Sequence, residues 1–319
     1  MAASHYENPR IDRPDQSADA ALGDVTLDWA RLAWVSSMFL LGSVGSALTF
    51  STSGLALFVG FTAFTLCLGH SLGMHRLFIH RSYRAPKLLE YFLVHLGVLV
   101  GLAGPFGMLR THDLRDWAQR QPLCHSYFAH GERWYRDAAW QLVCRMRLAR
   151  PPSIDIEAAY RSDPVYRFME QTWMLQQLPW ALAFYAIGGW SWVCWGIGSR
   201  VSVSILGHWL IGHIAHNDGG KDWTVDGAAV QGHNVPFVAL LTMGENWHNN
   251  HHAFPGSAKL GLEPGQWDPG WWTLKLFEKA GLASDFVLPD DLSPRPELRR
   301  VTASATPGRH ANVARVCES

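Results

Sequence analysis

Gly244-Glu245-Asn246-Trp247-His248-Asn249-Asn250-His251-His252-Ala253-Phe254-Pro255 packs three histidines into five residues. On a helix, His251 and His252 follow His248 by three and four residues, so all three imidazoles share a face. Neutral imidazole is the commonest protein ligand for iron, zinc and copper, and three rings converging on one point repel if protonated. The stretch is therefore expected to be a metal-binding face. The alternative is a polar surface helix, although a chain with 16 His in 319 residues produces such a triplet by chance only about once in tens of chains.

Working outward, the composition is that of a membrane protein. Hydrophobic residues make up 48% and charged residues 17% of the chain, the 27 basic and 27 acidic residues balance, and nothing points to nucleic acid. Cys67, Cys124, Cys144, Cys194 and Cys317 form no C-x-x-C pair, which argues against a disulfide framework or a thiolate cluster and suits a reducing cytosol. Residues 1–25 lack the apolar core of a secretory signal and read as a mobile tail. Residues 30–50 and 55–74 read as two spans joined by Ser51-Thr52-Ser53-Gly54. Residues 173–197 and 201–215 read as two more, joined by Gly198-Ser199-Arg200. Arg10, Arg13 and Arg31 precede or open the first span, and Arg76, Arg81, Arg84 and Lys87 follow the second, so both flanks and both termini are expected in the cytoplasm.

The apolar run 88–109 is broken by Gly101, Gly104, Pro105 and Gly107. If it crossed, His75 and His80 would lie on the opposite membrane face from His112, so it reads as interfacial or re-entrant. Residues 112–170 read as short cytoplasmic helices, residues 217–290 as a soluble cap with an amphipathic stretch around Trp271, and residues 291–319 as a disordered tail. The expected fold is all-α, an integral membrane protein with four transmembrane helices, an interfacial helix and a cytoplasmic helical cap, in one domain over residues 26–290. It would sit in a bacterial inner membrane or the endoplasmic reticulum.

Further histidines lie where this topology can gather them. His75-Arg76-Leu77-Phe78-Ile79-His80-Arg81 follows the second span directly. Two histidines five apart diverge by roughly 140° on an α-helix, so they reach one site only where the helix ends or bends; the alternative is an aromatic and basic interface segment. His208, His213 and His216 fall late in the last span.

His75 to Arg81 with Ser82-Tyr83, together with Gly244-Glu245-x-x-His248-x-x-His251-His252-x-Phe254-Pro255, resembles the first and third histidine boxes of membrane fatty acid desaturases of the acyl-CoA delta-9 type, over roughly residues 55–270. The resemblance implies a di-iron centre in the cap and oxygen-dependent insertion of a double bond into a long acyl chain. It implies His75, His80, His112, His216, His248, His251 and His252 as metal ligands and Arg110 near the substrate head group. Four residues before the last-span histidine the family has asparagine where this chain has Gly212, leaving His213 or Asn217 to substitute.

The middle box departs most. The family has H-x-x-H-H, and this chain has His112-Asp113-Leu114-Arg115-Asp116-Trp117. Asp116 stands four residues after His112 on the same helical face, where its carboxylate is expected to replace an imidazole as a metal ligand, the alternative being support of a ligand by hydrogen bonding. Arg115 cannot coordinate and is expected to turn outward or pair with an acid such as Asp113. His125, near where the family has Asp-Pro-His, or His130 is a further source of a ligand. Glu245 is read as supporting a ligand rather than binding metal, with Asp113, Asn246 and Asn249 as other acceptors.

Breaking unactivated C–H bonds requires dioxygen and a redox metal. The resemblance therefore implies two iron ions, O2 as co-substrate, a fatty acyl substrate in the lipid bilayer, and a separate electron carrier of ferredoxin, rubredoxin or cytochrome b type with its reductase. The chain itself lacks a C-x-x-C-H, a His-Pro-Gly-Gly or a glycine-rich dinucleotide loop. The expected function is a desaturase placing a cis delta-9 bond in a long-chain acyl-CoA or acyl lipid. A related di-iron hydroxylase and an inactive desaturase-like protein are the alternatives. Metal transport past His208, His213 and His216 would need charges spread along the spans, which are nearly charge-free.

Overall fold

A computed structural model gives the fold of residues 8–11 and 17–301. Its first hairpin consists of helices Trp29–Leu48 and Thr52–Ile79, both long and apolar enough to cross a membrane. Asp28 caps the first helix by accepting from Arg31 N at 3.1 Å, and Ser51 caps the second by accepting from Gly54 N at 3.0 Å. From Thr65 to Ile79 the second helix is π-helical, a geometry frequent at functional sites. Hydrogen bonds then run between residues five apart, as His80 N to His75 O at 3.0 Å does at the end of the run. Residues that would diverge on an α-helix return towards one face, and His75 meets His80 without a break in the helix.

The second hairpin reverses nine residues earlier than the sequence suggests. Gly189, with φ 62° and ψ −156°, is its turning point. Phe184 shares a core with Val193 and Ile197, and Gln177 Oε1 accepts from Arg200 Nη2 at 2.6 Å, so the arms run antiparallel about that glycine. Helix is then continuous over residues 190–217, roughly 42 Å. Gly198-Ser199-Arg200 is therefore no connector. A Cβ at Gly198 would lie 2.6 Å from Gly42 N, so this glycine lets two helices touch backbone to backbone. The tips of both hairpins meet through Ser51 Oγ and Ser191 Oγ at 2.7 Å and through Trp192 Nε1 donating to Ser53 Oγ at 3.0 Å. His75, His80 and His216 consequently share the opposite end.

The broken third run turns back. Helix Lys87–Leu99 lies antiparallel along Thr52–Ile79, at a spacing set by Gly69 and Gly73, where a Cβ would come within 2.3 Å of Leu96 C and 2.2 Å of Leu93 O. Its terminal Leu99 carbonyl accepts from Arg200 Nη1 at 2.6 Å and Gln177 Nε2 at 2.9 Å. A fully buried guanidinium thus satisfies an end that would otherwise face hydrocarbon. Gly101, at φ 88°, turns the chain, and Glu170 Oε2 caps helix Pro105–Arg120 by accepting from Phe106 N at 2.9 Å. That helix carries His112 back to His75.

The fold is mostly helical rather than all-α. Strand Asp19–Leu27 pairs antiparallel with Cys144–Arg150, and Trp223–Val225 with Leu298–Arg300. Each ribbon recruits a segment read from sequence as tail. A Cβ at Gly23 would lie 2.4 Å from Arg147 O, so this residue permits the close strand contact. Residues 1–7, 12–16 and 302–319, Cys317 among them, lie outside the described residues.

Gly198→Leu should push the hairpins apart. Overpacking costs about 1–3 kcal/mol, so the melting temperature in detergent should drop by several degrees. Gly60→Leu, where a Cβ meets nothing within 4 Å, should leave it unchanged; equal melting of the two variants would rule out the glycine contact as a source of stability.

Candidate metal centre

Two groups of imidazoles adjoin at the histidine end of the hairpins. His75, His80, His112 and His251 each bring one nitrogen within 4.8 Å of the others, and His216, His248 and His252 do the same. The short helix His248–Ala253 lies between them. Its three histidines do not converge on one point as the spacing suggested. Successive residues turn by about 100° on a helix, so His248 and His252 stay close while His251 swings to the other side. The ring centroids agree: His248 and His252 are 4.6 Å apart, and His251 is 4.7 Å from His75 and 4.8 Å from His80.

Asparagines hold this helix. Asn249 Oδ1 accepts from Asp222 N and Trp223 N at 2.8 and 2.9 Å, while its Nδ2 donates to Trp223 O and Gly232 O. Asn250 Nδ2 donates to Leu260 O at 2.7 Å, and Asn234 Oδ1 accepts from Asn249 N at 3.0 Å. Asn246 Nδ2 donates to Val235 O at 3.0 Å. Asn246 and Asn249, expected to support imidazoles, thus bond to backbone instead.

The imidazole supports are Glu245, Asp113 and a carbonyl. His75 Nδ1 lies 2.6 Å from Glu245 Oε2, His112 Nδ1 lies 3.4 Å from Asp113 Oδ1, and His216 Nδ1 donates to Gly212 O at 2.7 Å. With the proton of His216 on Nδ1, its Nε2 accepts from Gln119 Nε2 at 3.0 Å and faces His248 Nε2 at 3.0 Å, and His248 Nε2 lies 3.1 Å from His252 Nε2. His80 and His112 approach similarly, Nε2 to Nε2, at 3.2 Å. Burial, then the neighbouring imidazoles, hold His80, His251 and His252 well below the ordinary histidine range, and burial brings His248 down to about 4. Imidazole nitrogens gathered this tightly fit a cation at the centre of each group.

The other expected site residues lie around these groups. Asp116 is buried beside the first, but its oxygens are 3.1 and 3.2 Å from Arg120 Nη2 and Nε. Burial opposes its charge, and Arg120, His112 and His251 outweigh that and hold its carboxyl at about 2. His125 joins neither group: its Nδ1 accepts from Tyr127 N at 3.0 Å. Asn217 Nδ2 donates to His130 O at 3.0 Å and His213 O at 2.8 Å. Arg110 is exposed.

Arg115 neither turns outward nor pairs with Asp113. It contacts His130 Nε2 and donates to Gln141 Oε1 at 2.7 Å. His130 and His213 place their Nδ1 atoms 2.9 and 2.8 Å from Asp137 Oδ2, which also accepts from Trp209 Nε1 at 2.9 Å. Burial opposes ionisation of Asp137, and these donors overcome it, holding the carboxyl at about 2. The ring of His130 stacks on His216 at 5.1 Å. Asp137, Gln119 and Arg120 went unnoticed in the sequence. The one available signal was the i, i+4 pairing of Asp137 with Gln141 and of Asp116 with Arg120.

Asp113 has a second, unforeseen partner. Arg10, which fell in the presumed tail, is buried with Nη1 3.3 Å from Asp113 Oδ2, Nη2 donating to Ile79 O at 2.7 Å and Nε to Glu157 at 2.9 Å.

Two adjoining histidine groups at the end of long apolar helices define a membrane protein of the kind that can hold a pair of metal ions. The chain belongs to the fatty acid desaturase family, which residues 51–259 match. It is similar to an sn-1 stearoyl-lipid 9-desaturase of Anabaena variabilis, 34% identical over 269 residues that cover 82% of this chain and 96% of that protein. It is also similar to a palmitoyl-monogalactosyldiacylglycerol delta-7 desaturase of Arabidopsis thaliana, at 32% over 83% of this chain and 70% of that protein. An acyl-CoA 5-desaturase of Anemone leveillei is 29% identical over 88% of this chain and 89% of that protein. The protein is thus an oxidoreductase, a fatty acid desaturase, and the bond position named for its relatives varies.

Arg10→Ala should leave Asp113 buried without its cation. Breaking a buried pair costs about 3–5 kcal/mol, so thermal unfolding in detergent should move down markedly, with Arg10→Lys recovering part of the loss. Unchanged unfolding in Arg10→Ala would mean that the segment is not anchored at the site.

Proposed function

We propose that this desaturase is a di-iron enzyme that places a cis delta-9 double bond in a long-chain acyl group carried by CoA or by a membrane lipid. The observation that carries the reading is the pairing of a four-histidine and a three-histidine group across one six-residue helix. One iron is assigned to His75, His80, His112 and His251, the other to His216, His248 and His252. The match to a stearoyl-lipid 9-desaturase over 96% of that protein supports the delta-9 position.

Bound iron supplies the means of activating dioxygen against unactivated C–H bonds, with two electrons drawn from a separate carrier and its reductase. The chain's own residues prepare the place. Glu245, Asp113 and the Gly212 carbonyl fix the outer nitrogens of His75, His112 and His216, so the inner ones face the centre. Buried His251 and His252, behind the asparagine framework, exclude bulk water. The two hairpins act as four spans with both termini in the cytoplasm, bringing the acyl chain from the bilayer while Arg110 at the exposed rim meets the head group. Asp116, with both oxygens committed to Arg120, supplies negative charge beside the first iron rather than a bond to it.

Expression in a host lacking the activity should add a cis monounsaturated chain to the cell lipids, read by gas chromatography, and His251→Ala should abolish it at unchanged membrane abundance. Full product from His251→Ala, or none from the native chain with its electron carrier supplied, would reject the reading. Iron counted by plasma emission should give two per native chain and two in Asp116→Asn. One fewer in that variant would make Asp116 a ligand.

A further inference from the structure

Two histidines beside the metal centre have no part in the assignments above. His70 lies five residues before His75 in the π-helical run, its ring parallel to that of His75 within 5° at 6.4 Å. His208, eight residues before His216, meets His70 edge to face at 5.0 Å. Both are set further along their helices, away from the cap and towards the hairpin tips.

His208 faces inward. At 100° per residue it falls on the helical stripe of Val201, Ile205 and His216, all buried, and on the side opposite Val203 and Leu210, which face out. Yet His208 itself is accessible. A side chain on the inner stripe that remains accessible borders a space inside the bundle. Among the described residues neither His70 nor His208 has a hydrogen-bond partner. An imidazole brings both a donor and an acceptor, and a plain hydrocarbon chain satisfies neither.

Resting on the desaturase reading, we propose that His70 and His208 form a polar subsite for an oxygen function, a hydroxyl or keto group, on the acyl chain a few carbons to the methyl side of the oxidised position. The head group meets the cap at the other end, so the chain passes the irons before reaching this pair. A hydroxyl donates to one imidazole and accepts from the other; a keto oxygen accepts from one or both. The substrate class is therefore an oxygenated long-chain acyl group, and the residues that select it are one position in helix Thr52–Ile79 and one in the helix over residues 190–217 rather than any histidine of the metal groups.

The test uses the full-length protein in nanodiscs. Binding of stearoyl-CoA is compared with that of its hydroxy and oxo derivatives carrying the oxygen at successive carbons on the methyl side of the double-bond position. The native chain should bind at least one positional isomer about tenfold more tightly than stearoyl-CoA, the worth of one well-made hydrogen bond. His70→Leu and His208→Leu should erase that preference without weakening stearoyl-CoA binding. His70→Gln and His208→Gln, which keep a donor and an acceptor, should retain part of it and serve if the leucine variants fail to fold. Equal binding of all chains by the native protein, or a preference that survives both leucine variants, would overturn the subsite. Conversion of plain stearoyl chains without preference would leave the desaturase reading intact and remove only this inference. Selective binding with no chain converted would do the reverse.

Discussion

A guanidinium that is 1% exposed ties the two ends of the histidine site together. Arg76, one residue after His75, donates from Nη2 to Asp268 Oδ1 at 2.7 Å and from Nη1 to Ala258 O at 2.8 Å. Asp268 in turn accepts from Leu260 N at 2.8 Å and Trp271 N at 2.9 Å. The segment after His248–Ala253 is thereby fastened to the end of the second helix, and His251 is held against His75. Glu245 reaches the same place, accepting from Ser71 Oγ at 2.6 Å while facing His75 Nδ1. Room for this is made by glycine: a Cβ at Gly270 would lie 2.8 Å from Arg76 Nη2, and one at Gly244 would lie 2.3 Å from Asp268 Oδ1. A buried ion pair is a weak source of stability on its own but a strong source of register, because only one arrangement leaves neither charge alone.

That register matters because seven imidazoles have no reason to gather unaided. His80 and His112, and likewise His216, His248 and His252, bring ring nitrogens to about hydrogen-bond distance of one another, where facing lone pairs repel. The convergence is imposed from outside the groups, by the π-helical turn before His80, by the asparagine framework beneath His248–Ala253, and by the arrival of His112 on a helix capped by Glu170. The rigidity is built into the supports, and the centre is left for a cation to complete.

Much of this was legible in the sequence, and the failures have distinct causes. The three histidine-bearing segments and the turning back of residues 88–109 follow from spacing and from the need to gather the histidines on one side. The reversal of the second hairpin was misplaced because Gly188-Gly189 and Gly198 look alike in a string of letters. One pair makes a turn and the other residue makes a helix contact, and only the partner, Gly42, distinguishes them. The π-helix was illegible because composition does not announce it; only the need for His75 and His80 to meet hinted that the helix had to deviate. The tail readings failed because short ribbons depend on a partner distant in sequence, Cys144 to Arg150 for one and Trp223 to Val225 for the other.

The altered middle motif is best understood through what surrounds it. Arg115 stands where the family carries a histidine, and an unpaired guanidinium there would repel a metal. It is not unpaired: it is drawn onto His130 and Gln141, and His130 is in turn fixed by Asp137. The His130 ring lies 3.4 Å from where a Cβ at Gly212 would stand, so it fills the space that the family's asparagine would use, stacked on His216. Residues 115, 130, 137, 212 and 213 thus form one connected set, in which a larger residue at 212 would collide with His130 and a neutral one at 115 would leave its ring nitrogen without a donor. Independent losses in a decaying site would strand charges in the interior at a cost of several kcal/mol each. Substitutions that satisfy one another instead form a connected polar network, with the positive charge of Arg115 held one ring away from His216.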